Sequence, residues 1–127
     1  MRTALIVEDD KAIRDLVAEL LRELGFNTIV GAATADEALS LARGRDLDLV
    51  VLDYRLKEGS GIDVAERLRA LPGFRAPLLV TTALPRPQAA QVCAEAGACE
   101  CVPKPFDVID FLSAVQGCLE DSPAVAV

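Results

Sequence analysis

The sequence predicts an α/β fold, a doubly wound parallel sheet of five strands covered by five helices. Three observations predict it. Short apolar runs alternate with helix-period segments along the whole chain, the pattern of strands joined by crossover helices. Two of those runs, TALIVE and LDLVVLD, are almost continuously apolar, as strands buried on both faces are. Acidic or hydroxyl residues close three of the runs, and a lone lysine follows another, so polar chemistry collects at strand ends.

Each element has a local justification. TALIVE (3–8) is the first strand, stopping at acids. In KAIRDLVAELLRELG, residues Ala12, Ile13, Leu16, Val17, Leu20, Leu21 and Leu24 fall at helical spacing, and Gly25 suits the stop. FNTIVGA (26–32) is a second, weaker strand. TADEALSLARG opens with Thr34 and Glu37 at capping-box spacing and closes at Gly44. LDLVVLD (47–53) is the third strand; a Gly-rich loop then leads to a helix from Gly61 to Leu71. APLLVTT (76–82) is the fourth strand, and a proline-punctuated loop leads to a helix from Pro87 to Ala96, stopped by Gly97. CECV is the fifth strand, and DVIDFLSAVQGCLE the last helix, with Asp107 as its cap. Residues 1–120 thus read as one domain, and DSPAVAV (121–127) as a flexible tail or the start of a linker.

Composition narrows the function classes. With 52% hydrophobic and 26% charged residues, the 127-residue chain is expected to fold around a real core, and 4% aromatics make that core aliphatic. A net charge of −7 argues against binding driven by nucleic-acid phosphates. No apolar run reaches the roughly 20 residues of a membrane span. The N-terminus turns acidic too soon for a signal peptide. Four cysteines without histidine or a C-x-x-C pair argue against zinc. They read as reduced, mostly buried thiols of a cytoplasmic protein. Cys99 and Cys101 are expected on opposite faces of their strand, and so not bonded to each other.

In a doubly wound sheet, ligands bind beyond the carboxyl ends of the strands, where the strand order reverses. The first strand ends at Glu8, Asp9 and Asp10, the third at Asp53, the fourth at Thr81 and Thr82, and the fifth runs into Lys104. Taken singly, Asp10 is a helix cap, Asp53 a solvated loop acid, the threonines structural and Lys104 a surface charge. Together they would share one rim. Clustered carboxylates repel one another unless a cation neutralises them. Oxygen donors without His or Cys favour a hard divalent ion, and a site completed by water and a phosphate oxygen suits Mg²⁺ better than Ca²⁺. Lys104 adds a second positive charge, and a threonine hydroxyl can donate to an anion. These parts describe a receptor for a phosphoryl group, with Asp53 able to act as nucleophile and form an acyl phosphate. Two rivals fit less well. An aspartyl-nucleophile phosphatase would want an acid two residues after the nucleophile, where Arg55 stands. A flavodoxin-like cofactor binder would want a hydroxyl- and glycine-rich loop after the first strand, where EDDK is hostile to phosphate.

The stretches LIVEDD, LVVLDYRLKEGSG, PLLVTTA and AGACECVPKPF resemble the receiver domain of bacterial two-component response regulators, over about residues 1–120. The resemblance implies the strand order 2-1-3-4-5. It makes Asp53 the phospho-acceptor, Asp9 a direct Mg²⁺ ligand, Glu8 a ligand through water, and the backbone carbonyl of Arg55 a further ligand. Thr82, which precedes Ala83, becomes the switch hydroxyl in preference to Thr81. Lys104 becomes the phosphate-contacting lysine, and Lys104-Pro105 a candidate cis bond. A histidine kinase or histidine phosphotransfer protein would be the donor, docking near the first helix and the fifth loop. A downstream protein would bind the face formed by the fourth helix, fifth strand and last helix, with no direct nucleic-acid or membrane contact. The receiver would catalyse its own phosphorylation and dephosphorylation, as a cytoplasmic monomer or weak dimer.

The sequence departs from the family pattern in three places. The switch position three before the lysine carries Cys101 instead of an aromatic residue or histidine. Lys57 stands where a proline is frequent. No Lys or Arg follows Lys104, and the preceding helix has only Arg86 near its start, so the charge pairs of dimerising winged-helix regulators lack basic partners. A different output surface is therefore expected. Leu84, two after Thr82, implies slow loss of phosphate. A stand-alone single-domain regulator is the first reading. An N-terminal receiver of a larger regulator or hybrid kinase, or a phosphate-independent pseudo-receiver, are the alternatives.

Overall fold

The computed structural model describes residues 2–120, so the expected tail at 121–127 lies outside the described residues. Five strands and five helices alternate: β1 (Arg2–Val7), α1 (Lys11–Glu23), β2 (Phe26–Ala32), α2 (Ala35–Ala42), β3 (Leu49–Asp53), α3 (Gly61–Arg69), β4 (Leu78–Thr82), α4 (Arg86–Ala96), β5 (Glu100–Pro103) and α5 (Val108–Glu120). The strands pair in parallel in the order β2-β1-β3-β4-β5. A small antiparallel hairpin, Arg55–Leu56 with Gly59–Ser60, stands between β3 and α3, in a stretch expected to be only a loop.

Local chemistry sets the helix ends. Asp10 caps α1, its Oδ1 accepting from the amides of Ala12 at 2.9 Å and Ile13 at 3.3 Å. Thr34 caps α2 by accepting from the Glu37 amide at 3.2 Å, while Glu37 reaches back to the Ala33 amide. Asp107 caps α5 through the Ile109 amide at 2.7 Å. Gly97 ends α4 with φ 65°, a left-handed conformation that glycine adopts without strain. Strand starts are less local. Asp48 fastens to β1 outside the strand proper: its amide donates to Thr3 O and its Oδ2 accepts from the Thr3 amide, both at 2.8 Å. β3 therefore begins at Leu49, two residues later than its apolar run suggests.

Alternation along the strands splits the interior into two layers. Leu5, Val7, Val50, Leu52 and Val80 face α2, α3 and α4. Ala4, Ile6, Val51 and Leu79 face α1 and α5, around Phe111 at the centre. Among the described residues, no helix is long and apolar enough to cross a membrane.

The cysteines require a correction. Cys99 is bonded to Cys118, with Cα atoms 5.4 Å apart, while Cys93 and Cys101 are free and half-buried. Expecting four reduced thiols ignored that Cys118 lies on the buried face of α5, directly over the end of the sheet. Cys99 and Cys101 do pack into opposite layers. Strand alternation is not the cause, since residues two apart point the same way. Cys99 precedes β5 and is therefore free to turn toward α5.

Candidate functional site

The sheet register brings the strand ends into one row. Val7 is level with Ala32 and Leu52, Asp53 with Thr81, and Thr82 with Pro103. The Glu8 amide extends the ladder by donating to Ala32 O at 2.9 Å, so its side chain emerges at the rim. The Lys104 amide donates to Thr82 O at 2.7 Å, and the Lys104-Pro105 bond is cis, as expected.

At this rim the Lys104 ammonium lies between two buried carboxylates. Its Nζ is 2.8 Å from Glu8 Oε1 and 3.2 Å from Asp53 Oδ2. Glu8 is 4% exposed and Asp53 7%. Asp9 joins them, and one carboxylate oxygen from each of the three acids lies within 4.8 Å of the others. Backbone amides fix these acids in place. Asp10 N donates to Glu8 Oε2 at 3.2 Å, Lys57 N to Asp9 Oδ2 at 3.1 Å, and Arg55 N to Asp53 Oδ1 at 3.4 Å. Buried Thr82 accepts from the Leu84 amide at 3.1 Å, which leaves its hydroxyl proton free to donate.

The electrostatics follow from crowding. Burial, aided by the charge of Asp53, holds the Glu8 carboxyl above its ordinary value, against the opposing hydrogen bonds from Lys104 and the Asp10 amide. Burial pulls the Lys104 ammonium down, but its bond to Glu8 and the charges of Asp53 and Glu8 outweigh this and raise it. One ammonium among three acids leaves an anionic site. The donor set is purely oxygen, with no nitrogen or sulfur ligand within it, which fits a hard divalent ion such as Mg²⁺.

Glu8, Asp9, Asp53, Thr82 and Lys104 all stand at this edge. Arg55 opens the hairpin beside it, its side chain exposed. Cys101 is not part of the cluster. It faces the α4 layer, level with Val80, and its thiol lies 3.5 Å from Ala89 O. The roles of two residues escape notice in the sequence. Arg14 donates from its guanidinium to Glu8 O at 2.7 Å, passing over Gly31, where a Cβ would meet Arg14 Cδ at 3.0 Å. Gly61 lets α3 start against the acceptor strand, its amide donating to Tyr54 O at 2.6 Å.

Comparison with known proteins agrees with this geometry. The family model of the response regulator receiver domain matches residues 4–116. The transcriptional regulatory protein PdtaR of Mycobacterium tuberculosis is 34% identical over 115 residues, covering 91% of this chain and 55% of its own. CpxR of Escherichia coli is 32% identical over 122 residues, covering 96% and 51%. The chain thus spans about half the length of the curated relatives it matches. Among solved structures, chemotaxis protein CheY4 of Vibrio cholerae superposes with a TM-score of 0.84 at 27% identity, covering 94% of this chain and 99% of that one. A response regulator from Chloroflexus aurantiacus gives 0.84 at 29% identity, covering 93% and 97%.

Proposed function

Because the chain belongs to the response regulator receiver domain family of two-component signalling, we propose that Asp53 is its phospho-acceptor and that phosphorylation there switches a protein-binding surface. The observation that carries this is the placement of Lys104 between Asp53 and Glu8, with Asp9 alongside. An Asp53 oxygen attacks phosphorus. The bond from phosphorus to the donor breaks, and its electron pair leaves with the donor, the histidine of a kinase or phosphotransfer protein. Mg²⁺, held by Asp9, Asp53 and the Arg55 carbonyl with Glu8 acting through water, would neutralise charge on the group in transfer. Lys104 exchanges its hold on Asp53 for a phosphate oxygen, and Thr82 donates its free hydroxyl proton to another. Because the Lys104 amide hangs from Thr82 O, both movements act on the ends of β4 and β5 together. The change is read on the face formed by α4, β5 and α5, whose lack of basic residues beyond Arg86 favours a downstream protein other than a charge-paired copy of the chain.

Residues 1–120 act as the receiver unit. A stand-alone regulator is the first reading of the chain. The length of PdtaR and CpxR supports the alternative, a receiver within a longer regulator. The test is phosphorylation by acetyl phosphate, read by intact mass. One phosphoryl group on the wild type, absent without Mg²⁺ and absent in Asp53→Asn, is the expected result. An adduct that persists in Asp53→Asn, or no adduct on any form despite Mg²⁺ binding, would overturn the assignment.

A further inference from the structure

All four cysteines gather on or beside β5, in two pairs set on opposite faces of the sheet. Toward α5, Cys99 and Cys118 are bonded. Toward α4, Cys93 and Cys101 line the same groove, Cys101 reaching from β5 to Ala89, one helical turn before Cys93 on α4. Each also sits near a carbonyl of the same region, Cys93 Sγ 3.7 Å from Ala98 O and Cys101 Sγ 3.5 Å from Ala89 O. Both line an open groove of about 680 Å³ between α4 and β5. Its walls are largely small residues, Ala89, Ala90 and Ala94 among them, and Arg86 and Glu100 are its charged side chains. Both cysteines therefore border one open groove that a small disulfide can enter.

We propose that Cys93 and Cys101 are a second disulfide-forming pair, which closes reversibly by exchange with a low-molecular-weight disulfide and pins α4 to β5. The order of attack follows from how far each thiol is raised. Burial raises both thiols above their ordinary value, and it raises Cys101 further, to about 12. Cys93 is thus the first to ionise and attack. Its thiolate, after losing a proton to solvent, bonds one sulfur of RSSR and expels RS⁻. The Cys101 sulfur, its proton passing to solvent, then attacks the Cys93 sulfur and expels the second RS⁻. The two protein thiols lose two electrons and two protons, and RSSR becomes two RSH. Since so little thiolate is present at neutral pH, closure is slow and acts as a lasting setting of the surface rather than a rapid sensor.

The bond would join the two elements whose relative movement carries the output proposed above, and only that consequence rests on the phosphorylation reading. The chemistry itself is read directly. Reduced protein is equilibrated with mixtures of oxidised and reduced glutathione, free thiols are alkylated, and the unreduced protein is digested. Cleavage after Glu95, Glu100 and Phe111 puts the four cysteines on separate peptides. The expected result is a Cys93–Cys101 link, with loss of two hydrogens beyond those lost at Cys99–Cys118. Cys93→Ser and Cys101→Ser should each lose this link and keep the other. If Cys93 and Cys101 stay free, carry separate glutathiones, or pair with Cys99 or Cys118 where the wild type is fully oxidised, the proposal fails. Phosphorylation of Asp53 can succeed or fail independently of every one of these readings.

Discussion

Lys104 is the residue on which the acidic site depends. Without it, Glu8 and Asp53 face each other in a rim that excludes most water. Lys104→Met is expected to lower the unfolding free energy of the metal-free protein by about 2 kcal/mol at neutral pH, measured by urea titration, because it leaves buried carboxylates without their partner. Glu8 gives a pH signature of opposite sense to the usual carboxylate. Its folded-state pKa is raised, so its contribution to stability is full below the unfolded value, here 4.5, and is lost as pH rises through the folded one. Metal-free protein should therefore gain stability from this group as pH falls from neutral toward 4.5, and Glu8→Gln should lack that gain in parallel titrations. The acids, Thr82 and Lys104 were legible in the sequence because each follows a recognisable apolar run. Arg14 was not. A helix arginine reads as solvent-facing, and its partner here is a backbone carbonyl, which no charge pattern announces. Only the space over Gly31, known once β2 lies beside β1, explains its path.

At the scale of elements, the join between β3 and α3 controls how tightly the acceptor is held. A Cβ on Gly61 would lie 2.6 Å from Asp53 O and 3.0 Å from Tyr54 Cα, and backbone atoms cannot step aside as a side chain can. Gly61→Ala should cost about 2 kcal/mol of stability by overpacking. It should also slow acetyl phosphate labelling of Asp53, the two effects read by denaturant titration and by mass. Helices were legible to within a residue or two because their caps are local: Asp10, Thr34, Asp107 and Gly97 all act where the sequence suggests. Strand starts were less so, because the Asp48–Thr3 pairing is set by a residue 45 positions away. The hairpin after β3 escaped because two-residue strands carry no periodicity.

Over the whole molecule, the two apolar layers hold the sheet rigid while its carboxyl edge carries the charge. Ligand binding at that edge must then stabilise the entire fold. Mg²⁺ at a hundred times its dissociation constant is expected to add about 2.7 kcal/mol. A thermal scan should show this as a raised Tm in the wild type and no rise in Asp9→Asn. The alternation of strands and helices made the parallel, doubly covered sheet readable from the sequence and the family resemblance supplied its strand order, whereas the pairing of cysteines was not readable, since it depends on how Cys99 turns just before its strand. That pairing also changes how the protein answers to pulling. The bond between Cys99 and Cys118 encloses all of β5 and most of α5 in a loop with a sequence separation of 19. A stretched, unfolded chain would stay shorter by about 60 Å than its reduced counterpart. Force applied at the two ends would bypass that loop and pass through the covalent link, so that the inside of the loop would remain slack while the rest of the domain was drawn out.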